Sequence, residues 1–164
     1  MTYSQLSTYE LAQSLVTRLS QVGLTIAAAE SLTGGLVCSA LVDVPGASAV
    51  LRGSVTAYAT ELKAQVLGVD AARLASVGPV DAQVAQEMAD GVAQLLGADV
   101  AVATTGVAGP GPADGHKAGT VYIAAIAPWG SVWRLLELEG QRSQVRIQTV
   151  HQVLVLALEL LDQA

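Results

Sequence analysis

The side chains able to do chemistry in this chain gather in a few short stretches. The first is Glu30-Ser31-Leu32-Thr33-Gly34-Gly35, which closes an apolar run over residues 24–29 with a carboxylate, two hydroxyls and two glycines. An apolar helical pattern follows, so the stretch reads as a buried strand handing over to a helix through a tight loop. Glycines in such a loop let backbone approach a ligand, and free N–H groups at the helix start suit an anion. The second stretch is Thr104-Thr105-Gly106, at the end of another apolar run that begins at Asp99. If the two strands are parallel neighbours, both polar ends open on one edge of the sheet, where open α/β sheets bind ligands. The N–H groups of Gly34-Gly35 or of Thr105-Gly106 would then face an anion or a developing oxyanion. The plainer alternative is that Thr33 caps a helix, Glu30 is solvated and the glycines serve packing.

Standard catalytic signatures are absent: the chain holds no G-x-S-x-G, Walker A or H-E-x-x-H sequence. His116 and His151 lack metal-ligand spacing, which argues against a Ser/His/Asp arrangement and against a metal site. A serine nucleophile must therefore pass its proton elsewhere, and Tyr58 and Lys63 are the candidates. Tyr58 is expected at a strand end, and Lys63 on a short helix, where a lysine is ordinarily solvated. Arg142 and Arg146 stand one turn apart at the start of the last helix and share a face. Cations there oppose the helix dipole. An anion held by both guanidinium groups would explain them, and so would a salt bridge to a neighbouring acid.

The elements that must position these groups follow from pattern. Ser7 and Glu10 form a capping box for a first helix with a Leu11, Leu15, Leu19 stripe, closed by Gly23. A strand leads into Glu30, then a helix covers residues 34–42 and a Pro-Gly turn follows. Residues 50–59 read as a strand, 61–67 as a short helix and 71–76 as another turn of helix. Asp81 caps a helix carrying Val84, Met88, Val92 and Leu95, with Gly97 at its end. After the strand into Thr104 comes a loop over residues 106–115 too rich in Gly and Pro for regular structure, a candidate flap. Residues 119–127 and 131–138 form an antiparallel hairpin. The last helix spans about residues 142–161 and is apolar almost all round, which means deep burial or a subunit interface. The expected fold is α/β: a three-layer α/β/α sandwich with a mixed, mostly parallel sheet, in one domain over residues 1–164.

Composition narrows the function. The chain of 164 residues is 52% hydrophobic and 13% charged with net charge −6, and no basic run occurs. Nucleic acid is therefore not the expected partner, although local arginines could still hold an anionic small molecule. No apolar run is long enough for a membrane span and no signal peptide is evident. The lone Cys38 fits a reducing cytoplasm.

Taken together, several of these motifs resemble one family. Ala29-Glu30-Ser31-Leu32-Thr33-Gly34-Gly35, Asp43-Val44-Pro45-Gly46-Ala47-Ser48, Ala57-Tyr58, Thr105-Gly106-Val107-Ala108-Gly109-Pro110-Gly111 and Gly119-Thr120-Val121 are similar, in order, to the CinA C-terminal domain family. That is the family of the nicotinamide mononucleotide (NMN) deamidases. The resemblance implies an amidohydrolase that turns NMN and water into nicotinic acid mononucleotide and ammonia, without cofactor or metal, and that self-associates as a dimer or larger. It implies Ser31 as nucleophile, with Tyr58 and Lys63 in proton transfer. Glu30, Thr33, Gly34, Gly35, Ser48, Thr105, Gly106, Arg142 and Arg146 become the substrate-binding candidates. It also implies a stand-alone form, without the larger N-terminal domain of CinA proteins. Ala59-Thr60 departs from the family's usual Ser-Asn after the tyrosine, Leu32 stands where Cys is common, and Ala118 stands where a proline usually follows the lysine. A catalytically silent nucleotide-binding module of the same fold is the alternative.

Overall fold

Local capping signals start three of the helices, at Ser7, Asp70 and Asp81. A computed structural model describes residues 2–164. Helix α1 (Thr8–Val22) begins where Ser7 Oγ accepts the Glu10 N–H and the Glu10 carboxylate accepts the Ser7 N–H, and it ends at Gly23 with φ 71°. Strand β1 (Ile26–Glu30), helix α2 (Leu36–Val42) and strand β2 (Leu51–Thr56) follow. Next come α3 (Thr60–Gln65), α4 (Ala71–Val77) and α5 (Ala82–Leu96), the last two capped by the Asp70 and Asp81 carboxylates. Strands β3 (Val100–Gly106), β4 (Thr120–Ala127) and β5 (Gly130–Glu137) lead to α6 (Arg142–Leu161).

The five strands form one sheet in the order β2-β1-β3-β4-β5. β1 pairs in parallel with β2 and with β3, whereas β4 is antiparallel to both β3 and β5. Four strands thus run one way and only β4 runs back, the mixed sheet expected. The chain leaves β1 for β2 on one side and returns through α3, α4 and α5 to β3 on the other. The carboxyl ends of β1 and β3 therefore flank a topological switch point.

Period-2 alternation divides the core into two layers. Ile26, Ala28, Val100, Val102, Val121 and Ile123 face α1, α2 and α6. Ala27, Ala29, Ala101, Ala103 and Ala124 face α5. That second face is almost all alanine, so the layer above it lies close. Helix α6 packs against β4 on one side and α1 on the other. Its residues Val153 to Leu158 are all buried. Burial within the chain accounts for the apolar circumference that the sequence left open between deep burial and a subunit interface. Strand β2 ends at Thr56, two residues short of Tyr58, because after the Ala57 N–H bonds the Glu30 carbonyl the chain turns away to start α3. No helix among the described residues is long and apolar enough to cross a membrane.

The closest approach in this packing is at Gly91 of α5, where a Cβ would lie 1.7 Å from the Leu67 carbonyl oxygen. Helix propensity alone would make Gly91→Ala stabilising by about 1 kcal/mol. The collision with backbone reverses that sign, and urea unfolding should show a loss of about 2 kcal/mol.

Candidate active site

The loop after β1 is built around a buried carboxylate. Glu30 is fully buried, and its two oxygens accept the Thr33 hydroxyl (2.7 Å) and the N–H groups of Gly35 (3.1 Å), Val37 (2.9 Å) and Cys38 (3.1 Å). Helix α2 begins at Leu36 with no side-chain cap from its own N-cap residue, Gly35, so Glu30 takes that part from five or more residues upstream. A carboxylate is favoured there by the orphan N–H groups and the positive end of the helix dipole. Thr33 Oγ1 gives its proton to Glu30, so the Thr104 hydroxyl, 2.9 Å away, donates to Thr33. This hydroxyl bridge ties the β1 loop to the end of β3. From the other side Arg146 donates to the carbonyls of Leu32 (2.8 Å) and Thr33 (3.2 Å).

Within this clamped loop Ser31 is 8% exposed and faces a lysine. Lys63 Nζ lies 3.1 Å from Ser31 Oγ and donates to the Ala57 carbonyl at 2.8 Å. Lys63 is 1% exposed, and burial pushes its ammonium down from the usual 10.5 to about 8, against an upward pull from the Asp114 carboxylate. A lysine near that value supplies a neutral amine at mildly alkaline pH, which is what a general base for a serine requires. Of the two readings of Lys63, proton-transfer candidate or solvated helix lysine, its burial removes the second. Helix α3 turns its Lys63 face inward, which a six-residue helix does not reveal by periodicity.

Ser31 and Lys63 line a cavity of about 330 Å³, together with Tyr58, Thr60, Thr105, Gly106, Asp114 and Arg142. The Gly-rich loop over residues 107–114 forms one wall. Arg142 donates to the Gly109 carbonyl (2.6 Å) and to the Tyr58 hydroxyl (3.1 Å), joining that wall to the loop after β2. Tyr58 is 62% exposed and its hydroxyl is bonded to Arg142, so the group against Ser31 is Lys63. The Thr105 hydroxyl donates to the Pro79 carbonyl (2.6 Å), fixing the wall at the end of β3. The cavity lies at the switch point, at the carboxyl ends of β1 and β3. Among the described residues no three His, Cys, Asp or Glu side chains cluster as metal ligands.

Several residues expected to bind substrate lie elsewhere. Glu30 and Thr33 are fully buried, with their polar atoms committed to the loop. The Gly34 N–H bonds the Ser31 carbonyl and the Gly35 N–H bonds Glu30, so neither is free for an oxyanion. Ser48 is exposed in a short 3₁₀ turn, Ala47–Ala49, outside the cavity lining. Arg146 is spent on the Leu32 and Thr33 carbonyls; it and Arg142 leave one helix face in different directions. The sequence also passed over Asp114, hidden in a Gly-rich loop, while Thr104, read as part of a polar strand end, serves to hold the Thr33 hydroxyl. The Asp114-Gly115 pair, a turn signal, was the available clue to Asp114.

Comparison with known proteins agrees with this architecture. The family model described as the CinA C-terminal domain matches residues 8–161. A Shouchella clausii protein, provisionally named competence-damage inducible, is 51% identical over 142 residues, 85% of this chain and 34% of the other. A CinA-like protein of Frankia casuarinae is 48% identical over 132 residues, 80% of this chain and 30% of the other. The chain thus spans about a third of the length of those relatives. Among solved structures, a CinA superfamily protein of Klebsiella pneumoniae superposes with TM-score 0.92 at 32% identity, covering 97% of this chain and all of the other.

Two outcomes follow from the site's construction. Glu30→Ala leaves four donors without a partner and should cost about 3 kcal/mol or more in urea unfolding. Lys63→Met removes a buried ammonium and should raise stability at pH 7 by about 1–3 kcal/mol. Because the folded-state pKa is the lower one, the unfolded chain binds more protons between about pH 8 and 10.5, and the unmodified protein gains stability as pH rises through that window. The advantage of the methionine variant should therefore shrink from pH 8 to pH 10. An advantage constant with pH would contradict the charge argument.

Proposed function

The chain belongs to the CinA C-terminal domain family, and from that premise we propose that it is an amidohydrolase acting on NMN, giving nicotinic acid mononucleotide and ammonia. The observation that carries the reading is the 3.1 Å approach of buried Lys63 Nζ to Ser31 Oγ on the wall of the cavity. Neutral Lys63 takes the Ser31 proton as Oγ attacks the carboxamide carbon. The resulting ammonium protonates the departing nitrogen, ammonia leaves, and a nicotinoyl ester remains on Ser31. Water then attacks that ester with Lys63 again as base, releasing the acid and restoring the serine. The cationic pyridinium ring withdraws electrons from the carbonyl, so the substrate assists its own hydrolysis.

The Leu32 N–H supports oxyanion stabilisation, since Leu32 lines the cavity and its N–H has no partner among the described residues. Arg142 binds the phosphate, and Tyr58 orients its guanidinium. Arg146 has no direct part, because its role is to hold the loop that presents Ser31. Thr60, half of the Ala59-Thr60 departure from the family pattern, lines the same cavity. That observation favours a second reading, a nucleotide-binding module without turnover.

Ammonia release from NMN, measured with EDTA present, decides between them. Under the first reading the unmodified protein releases ammonia, and Ser31→Ala or Lys63→Met lowers turnover about 10³-fold or more while the fold persists. Its kcat/KM should rise with pH through an apparent pKa of about 8, as Lys63 loses its proton. Saturable binding without ammonia would establish the second reading.

A further inference from the structure

The cavity carries one charge that the reaction above does not use. Asp114 is the only acid among the residues lining it, and it shares the cavity with the cations Lys63 and Arg142. Its position is fixed by backbone. Ala113 and His116 exchange two N–H···O bonds, of 3.0 and 2.9 Å, across the pair Asp114 (φ 51°) and Gly115 (φ 79°). Both central residues are left-handed, as in the type I′ turn that Asp-Gly favours. No other non-glycine residue of the described chain has a positive φ. The Asp114 carboxylate has no hydrogen-bond or ion-pair partner among the described residues, whose ion pairs are those of Arg18, Arg73, Lys117 and Arg134. Its charge nevertheless reaches into the cavity, where it acts on the Lys63 ammonium.

An unpaired carboxylate and an arginine on one cavity suit a ligand with a positive centre and a separate anion. A pyridinium mononucleotide has that pattern, with a quaternary ring at one end and a phosphate at the other. Hydrolysis of its amide adds a carboxylate to the ring and cancels the ring's net charge. The geometry points to Asp114 as a specificity residue that favours the cationic ring of the amide nucleotide over the neutralised ring of its acid product. This rests on the amidohydrolase reading and adds to it a means of releasing product. It also predicts the substrate class: cationic N-substituted pyridine amides, in preference to their reduced, uncharged forms.

The test is Asp114→Asn, because asparagine tolerates the left-handed turn and removes only the charge. Dissociation constants for NMN and nicotinic acid mononucleotide would be measured by calorimetry in a Ser31→Ala background, with and without Asp114→Asn. Ammonia release by the unmodified protein would be followed separately. The ratio of acid to amide dissociation constants should fall about fivefold on losing the charge, and the fall should shrink at high salt. An unchanged ratio with both nucleotides still bound overturns the role of Asp114 and leaves the amidohydrolase reading standing. A shifted ratio without ammonia release keeps the role of Asp114 and removes the amidohydrolase reading. Binding of neither nucleotide overturns both.

Discussion

The structure around the cavity depends on the satisfaction of one buried carboxylate. Glu30 ends a strand whose five residues are all buried, so its charge has nowhere to go but inward. A buried carboxylate is tolerable only if donors surround it, and here a hydroxyl and three backbone N–H groups do so. Those N–H groups are the ones a short helix leaves orphaned at its start. Two unfavourable terms, an unpaired charge and an uncapped helix, thereby cancel each other. The residue between them in sequence, Ser31, inherits a fixed position from both.

Lys63 is the converse case, a buried cation without a carboxylate bonded to it. Its contacts are a carbonyl and a serine oxygen, neither of which offsets the loss of water around an ammonium. A destabilised group at a cavity wall is a common mark of a working site. The same desolvation that weakens the fold makes the amine a better base near neutral pH.

The remaining parts adjust the cavity rather than create it. The parallel neighbours β1 and β3 bring Ser31 and Thr105 to one edge, which no local interaction could do. The loop after β3 is too rich in Gly and Pro to form its own hydrogen-bond ladder, so it takes its shape from Arg142, from the two bonds across Asp114-Gly115, and from β4. Arg142 and Arg146 divide their labour: one faces the cavity and the other holds the Ser31 loop in place.

The sequence alone determined the elements. Side-chain caps at Ser7, Asp70 and Asp81, the glycines at 23 and 97, and the short apolar runs at β1 and β3 act over a few residues, so their effects can be read in place. The motifs gave the family and two stretches that line the cavity, with Ser31 and Thr105. Tertiary structure decided which polar groups face the cavity and which hold the loop. Glu30, Thr33 and Arg146 have the residue types of a binding site, yet their partners are backbone and side chains brought close only by folding. It decided likewise that Lys63 is buried and that α6 is covered on both sides. Capping and alternation depend on neighbours in sequence, whereas burial and the pairing of charges depend on neighbours in space, and only the assembled sheet supplies those.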